Sequence, residues 1–303
     1  MTQKLAFVFP GQGSQAIGML DSFIADNLEI VAATCAEASD TLGYDMAQLI
    51  AIDSKQQLNK TEFTQPALMT AGVIAWRIWL HESDERPSML AGHSLGEYTA
   101  LVCAEAMTFA EGLKLVAKRG ELMQQAVAPG VGAMAAILGL DLEQIKQICD
   151  VGVQAANINA PGQIVIAGTA EAVAAAIERA KIVGAKRAIL LPVSVPSHCE
   201  LMHPAAEQLA SHLAAIAWRK PKFTIVHNFD VRSHDSAAAI CDVLQKQLYS
   251  PVRWIETIEY FMQHNVTEIL ECGPGKVLTG LNKRIAPLLT VRAISESLGA
   301  GLC

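Results

Sequence analysis

Ala91-Gly92-His93-Ser94-Leu95-Gly96-Glu97 is a G-x-S-x-G element between two apolar stretches. Pro87 to Ala91 reads as a short buried strand, and Glu97 to Cys103 as the first turns of a helix. A serine between two glycines at that junction sits on a tight strand-to-helix turn, where glycine tolerates a strained backbone and leaves room beside the side chain. Its hydroxyl then projects from the carboxyl end of a strand, with a helix N-terminus behind it to favour developing negative charge. The pentapeptide also occurs in ordinary turns, so the flanking strand and helix are what give Ser94 the setting of a nucleophile.

Upstream, Leu5 to Phe9 is continuously apolar, the pattern of a strand covered on both faces of an α/β sheet. It runs into Pro10-Gly-Gln-Gly-Ser-Gln15, either a plain turn or a loop whose backbone N–H groups face a ligand. The loop lacks the lysine of a phosphate-binding P-loop and does not match the dinucleotide fingerprint, which argues against a nucleotide site. Helices are expected over 25–38 and 45–52, and another opens at Gln65-Pro66 with Pro66 near its first position. Trp76 and Trp79 are expected to cover core edges. Residues 109–126 read as a helix carrying Arg119, and a basic residue on a helix usually marks a solvated face.

Pro129-Gly130 marks a break. Beyond it come strand 134–138, helix 141–149, strands 154–158 and 163–167, helix 170–182 and strand 187–191. The order β-α-β-β-α-β is that of a ferredoxin-like unit, with Asn159-Ala-Pro-Gly162 as its central turn, inserted into a larger α/β domain.

The chain returns through Val193-Ser-Val-Pro-Ser-His198 to a helix over 199–215. A strand over 223–227 ends in Asn228-Phe-Asp230, a helix covers 237–248, and Pro251 to Trp254 starts another. Strand 267–271 ends at Cys272-Gly-Pro-Gly-Lys276, which is either a turn or a wall of the cleft.

An unassisted hydroxyl is a poor nucleophile, so Ser94 needs a base. His198, at a loop-to-helix junction, is the best placed of the eight histidines, while His93 points away along the turn. The acids between Ser94 and His198 fall mostly in helices of the inserted unit, and Asp230 follows the histidine. Either Asp230 or a main-chain carbonyl therefore orients the imidazole. His198 and His203 are poorly spaced for shared ligation, and no metal site is expected.

Composition fits this picture. At 303 residues, 51% hydrophobic, 17% charged and with a net charge of -7, the chain can bury a large core and does not favour a nucleic-acid backbone as partner. Cysteines at 35, 103, 149, 199, 241, 272 and 303 lack pairing spacing and read as core residues of a reducing compartment. No signal peptide or membrane-length apolar run is read, so a cytoplasmic location away from membranes is expected.

Seven segments together resemble the malonyl-CoA:acyl carrier protein transacylase family of type II fatty acid synthesis, over nearly the whole chain. They are Phe9-Pro-Gly-Gln-Gly-Ser-Gln15, Gly92-His-Ser-Leu-Gly-Glu-Tyr98, Lys118-Arg-Gly-Glu-Leu-Met-Gln124, Asn159-Ala-Pro-Gly162, Pro192-Val-Ser-Val-Pro-Ser-His198, Gln247-Leu-Tyr-Ser-Pro251 and Gly273-Pro-Gly-Lys276. The resemblance implies an α/β-hydrolase-like core with a mostly parallel sheet (1–128 and 193–303) and an inserted ferredoxin-like subdomain (129–192). It implies malonyl transfer from malonyl-CoA to the phosphopantetheine thiol of acyl carrier protein through a malonyl-serine ester, without a cofactor.

In that scheme Ser94 is the nucleophile, His198 the base and Arg119 the grip on the malonyl carboxylate. Gln12 and Leu95 supply backbone N–H donors of the oxyanion hole, and the Gln247 carbonyl orients the histidine. A monomer is expected. Lys186, Arg187, Lys283 and Arg284 form a candidate patch for an acidic carrier protein. Two rivals remain: a serine hydrolase, which would release free acid and leave Arg119 on the surface, and a non-catalytic carrier-protein binder. A transacylase of a polyketide pathway would run the same chemistry.

Overall fold

The computed structural model describes residues 4–193 and 195–297; Ser194 of the return loop and Cys303 lie outside them. Among the described residues the strands are β1 (Leu5–Phe9), β2 (Met89–Gly92), β3 (Gly132–Leu138), β4 (Val153–Ala160), β5 (Gln163–Thr169), β6 (Arg187–Leu190), β7 (Thr224–Val226), β8 (Glu268–Glu271) and β9 (Thr290–Ala293). Five of them form a parallel sheet in the order β7-β2-β1-β8-β9. The other four form an antiparallel sheet in the order β4-β5-β3-β6. The protein is thus a mixed α/β fold of two lobes.

The alternation of β1 explains its central place. Leu5, Phe7 and Phe9 pack into one apolar cluster and Ala6 and Val8 into another on the opposite face, so both faces are covered. Phe7 meets Trp76 and Trp79 edge-on, at ring separations of 5.6 and 5.1 Å. Trp79 is 1% exposed and thus within the core rather than at its edge, because its indole N–H finds a partner in the Glu85 carbonyl.

Since the large sheet is parallel, its strands all end on the same edge. The loop bearing Gln12 follows β1, Ser94 follows β2, His227 and Asn228 follow β7, and Cys272-Gly273 follows β8. Residues more than one hundred positions apart meet along this edge, as ligand-binding residues do in open α/β sheets.

Several local expectations need correction. The helix expected to open at Pro66 spans Thr61–Glu82, with Pro66 inside it. Its extra turn is buried yet satisfied: Thr64 Oγ1 donates to the Leu58 carbonyl at 2.5 Å, and Gln65 Nε2 donates to Thr61 Oγ1 at 3.1 Å. Pro251 to Arg253 do not start a helix. Val252 pairs with β4 instead, its N–H donating to Ala156 and its carbonyl accepting from Ile158, each at 2.9 Å, so the helix begins at Trp254.

The stretch 199–215 divides into a tight turn, Glu200–Met202, and a helix, His203–Ala214. The helix Val277–Ile285 and edge strand β9 carried no expectation; β9 is short and pairs on one side only, which leaves a weak sequence signal. No helix among the described residues is long and apolar enough to cross a membrane.

Candidate active site

Ser94 occupies a position most side chains avoid, at φ 53° and ψ -106°, and the helix Leu95–Cys103 starts directly after it. Gly92 and Gly96 make this turn possible. A Cβ on Gly92 would lie 1.8 Å from the Gly96 carbonyl carbon, and one on Gly96 would lie 2.0 Å from the Phe9 carbonyl oxygen. The helix therefore passes against the strand ends with no room for a methyl group, and Ser94 is lifted out over the sheet edge.

His198 approaches from the return loop, at φ 64° and 2% exposed. Its Nε2 lies 2.7 Å from Ser94 Oγ, and its Nδ1 lies 2.7 Å from the main-chain oxygen of Gln247. A carbonyl only accepts, so Nδ1 carries the proton and Nε2 is left to receive that of the serine. Asp230 makes no contact with His198 Nδ1. It faces His234 Nε2 at 2.7 Å, while the Gln247 carbonyl is the group at hydrogen-bond distance from His198 Nδ1.

Arg119 is fully buried, contrary to the solvated face that a lone helical cation suggests. It lies on the helix Phe109–Ala126 and points inward across the Tyr98 ring, 5.1 Å from its centroid. Nη1 donates to Gln65 Oε1 at 2.8 Å, and Nη2 donates to Gln247 Oε1 at 3.0 Å and to Ser94 Oγ at 3.2 Å. The guanidinium and the nucleophile thus share one small volume. All its hydrogen-bond partners here are neutral, so no carboxylate hydrogen-bonds to the guanidinium.

Gln12 holds its loop by its side chain, whose Oε1 accepts from Thr61 Oγ1 at 2.9 Å. Among the described residues neither its backbone N–H nor that of Leu95 donates to a protein acceptor. Leu95 is the first residue of its helix, where an N–H has no partner within the helix. His93 turns to the smaller lobe, its Nε2 lying 2.8 Å from Asn159 Oδ1. Gly273 packs on Pro10, which places the strand-end turn after β8 behind the Gln12 loop.

Sequence reasoning missed the polar frame behind these groups. Gln65, Glu97, Asn228 and the Gln247 side chain are each at most 1% exposed. Asn228 Oδ1 accepts from the Ser94 N–H at 2.7 Å, and its Nδ2 donates to the Gly92 carbonyl at 2.8 Å. The available signal was position: Asn228 follows a strand of the same sheet, and Gln65 lies in an otherwise apolar helix stripe.

Burial first, and next the Arg119 cation, push the His198 imidazole down to about 3. The unfolded chain binds that proton below roughly pH 6.5, whereas the folded chain does not. This contribution to stability is therefore complete above about pH 6.5 and is lost as pH falls towards about 3, at roughly 1.4 kcal/mol per pH unit. Denaturant titrations between pH 4 and pH 7 should show the slope reduced by about that amount in His198→Ala. Equal slopes in both proteins would mean that His198 titrates as an exposed histidine.

The family model described as acyl transferase domain matches residues 6–284. A malonyl CoA-acyl carrier protein transacylase of Salmonella typhimurium is 51% identical over 301 residues, covering 98% of this chain and 97% of the relative. The solved structure of the malonyl CoA-acyl carrier protein transacylase of Coxiella burnetii is 48% identical, with a TM-score of 0.94, and the match covers 97% of this chain and 94% of that one. A malonyl-transacylase solved in complex with its type II PKS acyl-carrier protein is 48% identical, with a TM-score of 0.95, covering 98% and 99% of the two chains.

Proposed function

This chain belongs to the malonyl-CoA:acyl carrier protein transacylases of the acyl transferase family, and from that premise we propose the roles of its site residues. The enzyme transfers the malonyl group from malonyl-CoA to acyl carrier protein. Ser94 Oγ attacks the thioester carbonyl carbon while His198 Nε2 takes the hydroxyl proton. The N–H groups of Gln12 and Leu95 meet the oxyanion, each good donor contributing roughly 3 kcal/mol in comparable sites.

As the C–S bond breaks, His198 returns the proton to the sulfur and coenzyme A leaves a malonyl-serine ester. The phosphopantetheine thiol of acyl carrier protein then gives His198 its proton and attacks the same ester, restoring Ser94. Arg119 offers two N–H groups to the malonyl carboxylate throughout, so the acyl group is held by its charged end and acetyl groups gain nothing there.

One observation carries these roles: His198 bridges Ser94 Oγ and the Gln247 carbonyl at 2.7 Å each, with the Arg119 fork 3.2 Å from the same hydroxyl oxygen. A buried cation beside the nucleophile is what an esterase for neutral acyl groups has no use for.

We also read residues 129–192 as an inserted ferredoxin-like unit and the rest as an α/β-hydrolase-like core, a monomer of the cytoplasm. The antiparallel order β4-β5-β3-β6 supports the first reading. Lys186, Arg187 and Lys283 are exposed, in keeping with an acidic carrier protein as partner; Arg284 is exposed too, but donates to Gln163 Oε1 and the Pro161 carbonyl.

Intact mass spectrometry tests the scheme. The protein should gain one malonyl group from malonyl-CoA, lose it to added holo-acyl carrier protein, and gain none in Ser94→Ala. Free malonate with no labelled carrier would make this a hydrolase.

A further inference from the structure

Arg119 can only donate hydrogen bonds, and the side-chain amide of Gln247 lies between it and the carboxyl group of Glu97. Gln247 Nε2 donates to Glu97 Oε2 at 2.8 Å and to the Ser94 carbonyl at 3.1 Å. Gln247 Oε1 accepts from Arg119 Nη2 at 3.0 Å. An amide held this way has one stable orientation. Turned over, it would set its NH2 against the guanidinium and its oxygen against the carboxylate.

Glu97 is itself pinned. It is fully buried, Oε1 faces His227 Nδ1 at 2.8 Å, and Oε2 also accepts from the Asn228 backbone N–H at 2.9 Å. A carboxyl group held by hydrogen bonds at both oxygens has little freedom to rotate, so it is a fixed reference for whatever hydrogen-bonds to it.

We propose that Glu97 is a positioning residue that sets the aim of the Arg119 fork through the side-chain amide of Gln247. The inference rests on the reading of Arg119 as the holder of the malonyl carboxylate. Glu97, with the Ser94 carbonyl, fixes which end of the amide faces Arg119. Anchored at Nη2, the guanidinium keeps its plane when an arriving carboxylate displaces the contact with Ser94 Oγ.

A second arm runs from Glu97 through Asn228 to the backbone of Ser94. That arm acts on the nucleophile whichever acyl group arrives. It therefore cancels from the ratio of malonyl to acetyl acylation, and the ratio isolates the arm through Gln247.

The experiment measures initial rates of Ser94 acylation by malonyl-CoA and by acetyl-CoA. It compares the native protein, Glu97→Gln, Gln247→Met, the double variant and Arg119→Ala. Glu97→Gln keeps the volume but presents an NH2 group where the native residue has only acceptors. The malonyl-to-acetyl ratio should fall about tenfold in Glu97→Gln and in Gln247→Met, and no further in the double variant, because the two residues act in series.

Both rates falling together with the ratio kept would make Glu97 a packing residue and overturn the proposal. Independent, multiplying losses in the double variant would overturn it as well. Should Glu97→Gln fail to fold, Gln247→Met decides, since an intact ratio there removes the link to Arg119. An intact ratio in Arg119→Ala would sink the carboxylate reading itself. A ratio lost in Arg119→Ala and kept in Glu97→Gln would sink only the inference about Glu97.

Discussion

Arg119→Ala is expected to slow acylation of Ser94 by malonyl-CoA by about two to three orders of magnitude while changing acylation by acetyl-CoA only a few-fold. The guanidinium is 0% exposed, and its Nε has no hydrogen-bond partner among the described residues. Its charge has thus been desolvated on folding, before any substrate arrives. An incoming carboxylate meets a cation weakly screened by water, where a charged pair is much stronger than at a surface.

Acetyl groups have no such anion, so they lose nothing specific when the fork is removed. Arg119 is also the second cause, after burial, of the low proton affinity of His198. The residual activity of Arg119→Ala should therefore fall off at a higher pH on the acid side than that of the native enzyme. Rates measured for both thioesters across pH 4 to pH 8 check this, and equal losses for malonyl and acetyl would reject the role given to Arg119.

Gly92→Ala is expected to destabilise the protein by roughly 3 to 5 kcal/mol, enough to leave much of it unfolded. The added Cβ would lie 1.8 Å from the Gly96 carbonyl carbon, 2.0 Å from its oxygen and 2.2 Å from the Glu97 nitrogen. All three are backbone atoms, so no rotamer change relieves the clash. Either the helix Leu95–Cys103 shifts or β2 leaves its register with β1, and in both cases Ser94 moves.

Gly280 provides the control, because a Cβ there meets nothing within 4 Å and the residue lies in a helix. Gly280→Ala should be neutral or stabilising by up to about 1 kcal/mol. Thermal melts of the two variants decide the matter. Similar melting temperatures would mean that the strand-to-helix turn is far more plastic than its geometry implies.

Local signals in the sequence suffice where local physics governs. The helix expected over residues 109–126 has those bounds in the structure, since Thr108 and Glu111 cap it reciprocally and the stop lies just beyond Ala126. Ser94 was legible because glycines on both sides, a buried strand before and a helix after are all features of one short stretch. The junction position of His198 makes it a candidate base, and nothing local distinguishes Asp230 from a carbonyl as its partner.

Sequence alone thus determined the α/β class, the nucleophile turn, the candidate base and, through several matching segments, the family. Tertiary structure alone decided that Arg119 turns inward, that the Gln247 carbonyl lies within hydrogen-bond distance of His198 Nδ1, and that Glu97 and Asn228 stand behind Ser94. The reason is the parallel sheet. It brings the carboxyl ends of strands far apart in the chain to one edge, and whether a polar side chain there is buried and partnered depends on residues more than one hundred positions away.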